Sequence, residues 1–210
     1  KIKKEIKLKR HNMKLLKKNL SKLIKAKAYD PSFEHDACGV GFIASTDAKK
    51  SRKVVEFGIQ ALKAVWHRGA VDADGKTGDG AGIHIEIPQD FFIERIQNAG
   101  RVHKEGIICV GMIFLPRNDY TSQEKCKTIV ENELLSNNYY IYRWRQVPVN
   151  TKVLGEKAEN NRPEIVQVIF KSNNSNLKND ELERDLYEIR KKIEKQANFL
   201  QLKDFYINSF

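Results

Sequence analysis

An α+β fold is predicted by two periodicities and one segregation of charge. Segments with apolar residues at helical spacing alternate with short runs of strand character. The net charge of +11 lies almost wholly in the first 27 residues, which hold twelve of the 38 Lys/Arg and one of the 27 Asp/Glu. That leaves 26 of each over residues 28–210, so the body is electrically neutral. With 40% apolar residues, 210 residues suffice for one good core plus an arm.

The elements follow in chain order. Leu15, Leu16, Leu20, Leu23 and Ile24 line one face of a basic amphipathic leader, with lysines opposite. Such a segment suits a solvated extension, a membrane surface or a targeting role. The chain opens on lysine, and Met13 is the only methionine before Cys38, so Met13 is the expected native start. Residues 39–45 read as a buried strand. Residues 51–66 place Val54, Val55, Gly58, Ile59, Leu62, Val65 and Trp66 on one face of a helix capped by Ser51. "HRGAVDADGKTGDGAG" (67–82) is a loop, and "IHIEI" (83–87) alternates as a half-buried strand. "DFFIERI" is a short helix and 106–115 an apolar central strand. "TSQEKCKTIVENELL" reads as a helix opened by a capping box from Thr121 to Glu124. "YYIYRWRQVPV" and "EIVQVIF" are strands joined by a polar loop over 150–163. "NDELERDLYEIRKKIEKQA" is a long helix with Leu182, Leu186, Ile189 and Ile193 inward, and "DFYINSF" begins a last strand.

Several function classes are set aside on composition and spacing. No apolar run approaches the roughly 18 residues of a membrane span. No basic stripe interleaved with aromatics occurs in the body, so neither nucleic acid nor membrane is an expected partner. Three scattered cysteines, Cys38, Cys109 and Cys126, make neither a disulfide framework nor a metal site, and point to a reducing cytoplasm. "DGKTGDG" ends like a phosphate-binding loop, but position 70 is Ala where that loop needs Gly, and the segment follows a helix. "DADG" lacks the spacing of a calcium loop, and "GDGAG" precedes no helix, as a dinucleotide fingerprint would.

One residue remains unexplained by packing patterns. In "EHDACGVGFIAS" (34–45), Cys38 stands at the mouth of the first expected strand. A small buried thiol is the usual fate of such a cysteine. A nucleophile would need a base. His35, His67 and His84 are not obvious partners, but the α-amino group of the cysteine itself would serve if the chain were cut before it. Such an amine titrates near ~8.

"CGVGFIA", a helix ending in "WHRGA", and "TGDGAGIHIEIP" occur in that order. Together they resemble the amino-terminal glutaminase domain of bacterial glutamate synthase large chains. "CGVGFIA" and "HRG" are shared with class II glutamine amidotransferases generally, and the resemblance runs from about Tyr29 onward. It implies an N-terminal-nucleophile α/β/β/α sandwich of two antiparallel sheets, incomplete at the C-terminus. It implies a leader or propeptide over 1–37 and the N-terminal part of the amidotransferase domain over 38–210.

For function, the resemblance implies hydrolysis of glutamine to glutamate and ammonia, with Cys38 as catalytic nucleophile. Arg68 and Gly69 of the "HRG" support it, and Gly39 and Gly41 allow close backbone approach. Arg68 would serve as well in a structural ion pair, and the two glycines in tight packing. Asp79 matches a family position without an assigned role. No metal or cofactor is expected on these 210 residues. FMN and an iron–sulfur cluster are expected in the full-length enzyme, with a small flavin-containing subunit and the rest of the chain as partners. The family's "HQRFSTNT" and "HNGEIN" blocks, which carry its glutamine-binding arginine and oxyanion donors, do not occur here. Residues 38–210 alone are therefore expected to be inactive. Another class II amidotransferase and a non-catalytic module of the same fold stand as alternatives.

Overall fold

The structure is a computed structural model, and it describes residues 21, 22, 25, 39–65, 69, 71–174 and 177–210. The chain divides into two units, Lys1–Ala48 and Lys49–Phe210.

In the first unit, residues 21, 22 and 25 are helical. The leucine face expected over 15–24 lies outside the described residues. Residues 39–45 form no strand, and Val40 and Phe42 are exposed, at 95% and 90%. The expected buried strand is therefore corrected. Alternation of small and apolar residues marks a segment suited to a sheet, but a strand exists only where a ladder partner does. A turn follows, closed by the Ala48 amide donating to the Ser45 carbonyl at 3.3 Å.

In the second unit, helix α1 spans Arg52–Ala64, and Ser51 caps it by accepting from the Lys53 amide, as expected. None of its residues is buried. A Cβ at Gly58 would stand 2.9 Å from Ile83, so the helix approaches the 83–87 segment at its glycine. That segment is again not a strand: it has no ladder partner among the described residues, and Ile83 and Ile85 are 45% and 43% exposed.

Helix α2 is Gln89–Gln97, strand β1 Ile108–Leu115, helix α3 Tyr120–Ser136 and strand β2 Tyr139–Gln146. The short helix α4 is Glu156–Asn161, strand β3 Glu164–Ser172, helix α5 Asn179–Phe199 and strand β4 Tyr206–Ser209. The strands form one antiparallel sheet in the order β2-β3-β1-β4. β1 and β3 pair without interruption from Ile108↔Lys171 to Leu115↔Glu164, while bulges interrupt β2 against β3 and β4 against β1.

Side-chain alternation along β1 and β3 separates two cores. Cys109, Ile113, Leu115, Val166, Val168 and Phe170 meet α3 and α5 on one face. From the helices come Cys126, Ile129, Val130 and Leu134, then Leu182, Leu186, Ile189 and Ile193, the inward set expected from the spacing. On the other face, Phe92 and Ile96 of α2 cover Ile108, Val110, Tyr142 and Ile169. Beyond the reach of α2 that face stays partly open, and Met112, Phe114 and Ile165 are half-buried.

Polar groups fix these layers. The Gln89 side-chain amide donates to the Ile108 carbonyl at 3.0 Å and accepts from the Ile108 amide at 2.9 Å, standing in for a neighbouring strand. Buried Gln123 donates to the Pro116 carbonyl at 2.7 Å, and the Tyr139 hydroxyl donates to Asp185 at 2.6 Å.

Two local expectations need correction. Helix α3 is capped two residues earlier than Thr121, by Asp119, whose carboxylate accepts from the Ser122 amide at 2.9 Å and its hydroxyl at 2.6 Å. The two carboxylate oxygens take the two bonds separately, whereas a threonine offers a single oxygen. The polar segment 150–163 is not loop throughout, since it holds a 3₁₀ turn over Thr151–Val153 and all of α4.

Candidate active site

Of the expected site residues, Cys38 and Arg68 lie outside the described residues. Gly39 and Gly41 are exposed, and a Cβ added at either meets nothing within 4 Å. Neither glycine is thus required by packing against a neighbour in the structure. Gly69 lies in an exposed bend at the entrance of the 71–78 loop.

That loop is built locally. Val71 and Gly78 bridge in antiparallel sense. The Asp72 amide donates to the Thr77 carbonyl at 2.7 Å, and the Gly75 amide to the Asp72 carbonyl at 2.9 Å. Gly75 has φ of +67°, a left-handed turn that favours glycine. Asp74 organises the interior of the turn: one carboxylate oxygen accepts from the Lys76 amide at 2.9 Å and the Thr77 amide at 2.7 Å, and the other from the Thr77 hydroxyl. These bonds, the Thr77 hydroxyl first, hold the Asp74 carboxyl far below the usual carboxylate range. Asp72 is also lowered, chiefly by its bond with the Lys157 ammonium.

The loop ends against α4. The Lys157 amide donates to Asp74 at 3.4 Å and the Ala158 amide to the Thr77 hydroxyl oxygen at 3.3 Å. Sequence reasoning missed this pairing, because nothing in "DADGKT" names a partner more than eighty residues away. The one available hint was Gly155, a helix start with no side chain to cap it.

The two described thiols are ill suited to nucleophilic work. Cys109 and Cys126 are buried at 4% and 0% exposure. Burial pushes the Cys109 thiol up to about 12, with Glu183 adding to it, and the Cys126 thiol up to about 11. The reactive form of cysteine is the thiolate, so neither is primed for attack. Among the described residues no group of three or more His, Cys, Asp or Glu side chains is placed to hold a metal ion. No helix of the described residues is long and apolar enough to cross a membrane.

Comparison with known proteins decides the family. The profile of the glutamine amidotransferases class-II matches residues 38–210, beginning at Cys38 itself. The chain belongs to the class II glutamine amidotransferases. Its amidotransferase domain has mixed α and β content with a four-stranded antiparallel sheet. Within the family, it is 55% identical over 191 residues to the "Glutamate synthase [NADPH] large chain" of Azospirillum brasilense, covering 91% of this chain and 12% of the relative. It is 43% identical over 163 residues to the "Ferredoxin-dependent glutamate synthase" of Pyropia yezoensis, covering 77% and 10%. It is 37% identical over 147 residues to the "Glutamate synthase [NADH]" of Saccharomyces cerevisiae, covering 68% and 7%. The chain thus spans about a tenth of the length of these relatives. The homology to glutamate synthase bears out the resemblance carried by "CGVGFIA", "WHRGA" and "TGDGAGIHIEIP".

Proposed function

We propose that this amidotransferase domain is the glutaminase part of a glutamate synthase, with Cys38 as an amino-terminal nucleophile freed by cleavage after Ala37. The observation that carries the reading is the family match, which starts at Cys38. The burial of Cys109 and Cys126 supports it, since both are held as thiols inside the sheet–helix core.

The steps follow from the chemistry of a free amino-terminal cysteine. The α-amine of Cys38 takes the proton of its own thiol, directly or through water. The thiolate attacks the side-chain amide carbon of glutamine, and the carbon–nitrogen bond breaks as the amine returns the proton to the departing ammonia. Water then hydrolyses the thioester, releasing glutamate and restoring the thiol. Arg68 and Gly69 support the nucleophile, and Gly39 and Gly41 let backbone pass close to the substrate.

Ammonia then goes to a second site on the rest of the protein, where 2-oxoglutarate is converted to glutamate. FMN would supply the hydride there, with an iron–sulfur cluster feeding electrons and a small flavin-containing subunit as partner. The described residues of this chain do not fit a cluster, because Cys109 and Cys126 are enclosed by apolar side chains. The three relatives are named for three different electron donors. A cytoplasmic location is supported by three scattered cysteines, which suit a reducing compartment.

For the fold, the reading adds a second antiparallel sheet, giving the α/β/β/α sandwich. The half-buried Met112, Phe114 and Ile165 support this, since they lie on the sheet face opposite α3 and α5 and await cover. In the full-length protein, Cys38→Ala should abolish glutamine-dependent synthesis and leave synthesis from added ammonia. Undiminished glutamine turnover in that variant would refute the proposal.

A further inference from the structure

We propose that Asp74 and Thr77 form a positioning clamp with the start of α4, and that this clamp fixes the loop between "HRG" and "GDGAG" for glutamine hydrolysis. The inference rests on the proposed glutaminase function.

Helix α4 cannot cap itself. The first N–H groups of any helix lack partners within it, and a Ser, Thr, Asp or Asn at the N-cap normally supplies one. Helix α4 has Gly155 there, with no side-chain cap. Its second and third amides, Lys157 and Ala158, instead donate to Asp74 at 3.4 Å and Thr77 at 3.3 Å. The cap therefore comes from a loop more than eighty residues earlier in the chain. Lys157 adds an ion pair to Asp72.

Gly155 is the condition for this approach. A Cβ at position 155 would press on the Asp74 carboxylate and the Thr77 hydroxyl, and would lie 2.6 Å from the Thr77 amide nitrogen. A capping side chain at 155 would occupy the space the loop now fills. The helix and the loop are thus each shaped for the other.

The far side of α4 is anchored to the sheet. Arg117, two residues beyond the end of β1, donates to the Glu159 carbonyl and to its carboxylate, both at 2.8 Å, and Arg162 holds the same carboxylate at 2.9 Å. A continuous path of contacts runs from β1 through Arg117 and α4 to Asp74 and Thr77. In the sequence, Arg68 and Gly69 stand just before this loop, and 78–82 follow it. A site is precise when its loops rest on rigid elements, and a displacement of about 1 Å can cost roughly a hundredfold in rate.

The test uses the full-length holoenzyme with Asp74→Ala, Asp74→Asn, Gly155→Ala and the double variant Asp74→Ala/Gly155→Ala. We expect Asp74→Ala and Gly155→Ala each to lower glutamine-dependent kcat by about tenfold to a hundredfold. Labelling of Cys38 by a glutamine-like diazoketone should slow in parallel, and ammonia-dependent synthesis should be unchanged. Asp74→Asn keeps one acceptor oxygen and should retain more activity than Asp74→Ala. The double variant should be no worse than the poorer single one, because both break one device. Glutamine- and ammonia-dependent rates falling together would overturn the clamp as a positioning device, as would no loss in either single variant. Cys38→Ala run alongside separates the two claims: loss of glutamine turnover there, with none in the clamp variants, refutes the clamp alone.

Discussion

A cysteine's setting decides its reactivity, and Cys109 and Cys126 share one setting. Cys109 and Cys126 sit in the core between the sheet and helices α3 and α5, where burial keeps them protonated. The sign of their effect on stability is fixed. In the unfolded chain the Cys109 thiol ionises near its ordinary 9.0, whereas folded it holds its proton to about 12. Stability is therefore undiminished below about pH 9 and falls as pH rises above it. Tyr139 acts in the same direction above its ordinary value of 10.0, raised by burial and by its bond to Asp185. Urea midpoints at about pH 8 and about pH 10.5 should show this decline, and Cys109→Ala with Tyr139→Phe should lessen it, Cys126 keeping its share. An equal decline in the double variant would assign the effect elsewhere. The burial of these thiols was legible in the sequence, since Cys109 lies in an apolar strand and Cys126 on the inner face of a helix. The residues tied to Asp74 were not legible, because their spacing in the chain carries no periodic signal.

At the scale of elements, legibility followed periodicity and partnership. Helix α5 was readable because Leu182, Leu186, Ile189 and Ile193 repeat at helical spacing, and all four are buried. Truncating one of them leaves a cavity, so Leu186→Ala or Ile189→Ala should cost about 2–5 kcal/mol in denaturant unfolding. A loss under about 1 kcal/mol would mean the helix is not held by this face. The cap of α3 was misplaced by two residues because Asp119 and Thr121 both fit the pattern, and the carboxylate won by reaching two donors. Asp119→Ala should therefore destabilise the protein by about 0.5–2 kcal/mol, and Thr121→Ala by less. The reverse order would restore Thr121 as the cap. Residues 39–45 and 83–87 failed as strand expectations for another reason. Alternation shows which residues suit a sheet face, but the ladder partner is a property of the whole fold. Helix α4 was unreadable because its six residues, five of them polar and the other alanine, have no apolar face, and its cap is supplied from elsewhere.

At the scale of the whole molecule, the sheet presents one face closed by α3 and α5 and one only partly closed by α2. The amidotransferase family was legible from three short blocks because particular residues in a fixed order mark a family, whereas periodicity is shared by many unrelated sequences. On the proposed function, residues 38–210 produced alone should lack glutaminase activity, because the arginine and oxyanion blocks are not among them. A loss of oxyanion donors costs about 10²–10³ in rate in acyl-transfer enzymes. Extending the chain through both blocks should restore thiol reactivity and turnover together, and turnover by 38–210 alone would show that it carries its own donors. The central claim is that Cys38 becomes an amino-terminal nucleophile. It is tested most directly by treating the full-length protein with a glutamine-like diazoketone and sequencing the labelled peptide by mass spectrometry. The expected outcome is a single label, on the sulfur of a Cys38 that begins the mature chain, with Cys109 and Cys126 unmodified. A fully active protein in which Cys38 is still joined to Ala37, or in which the label lies on another residue, would contradict it.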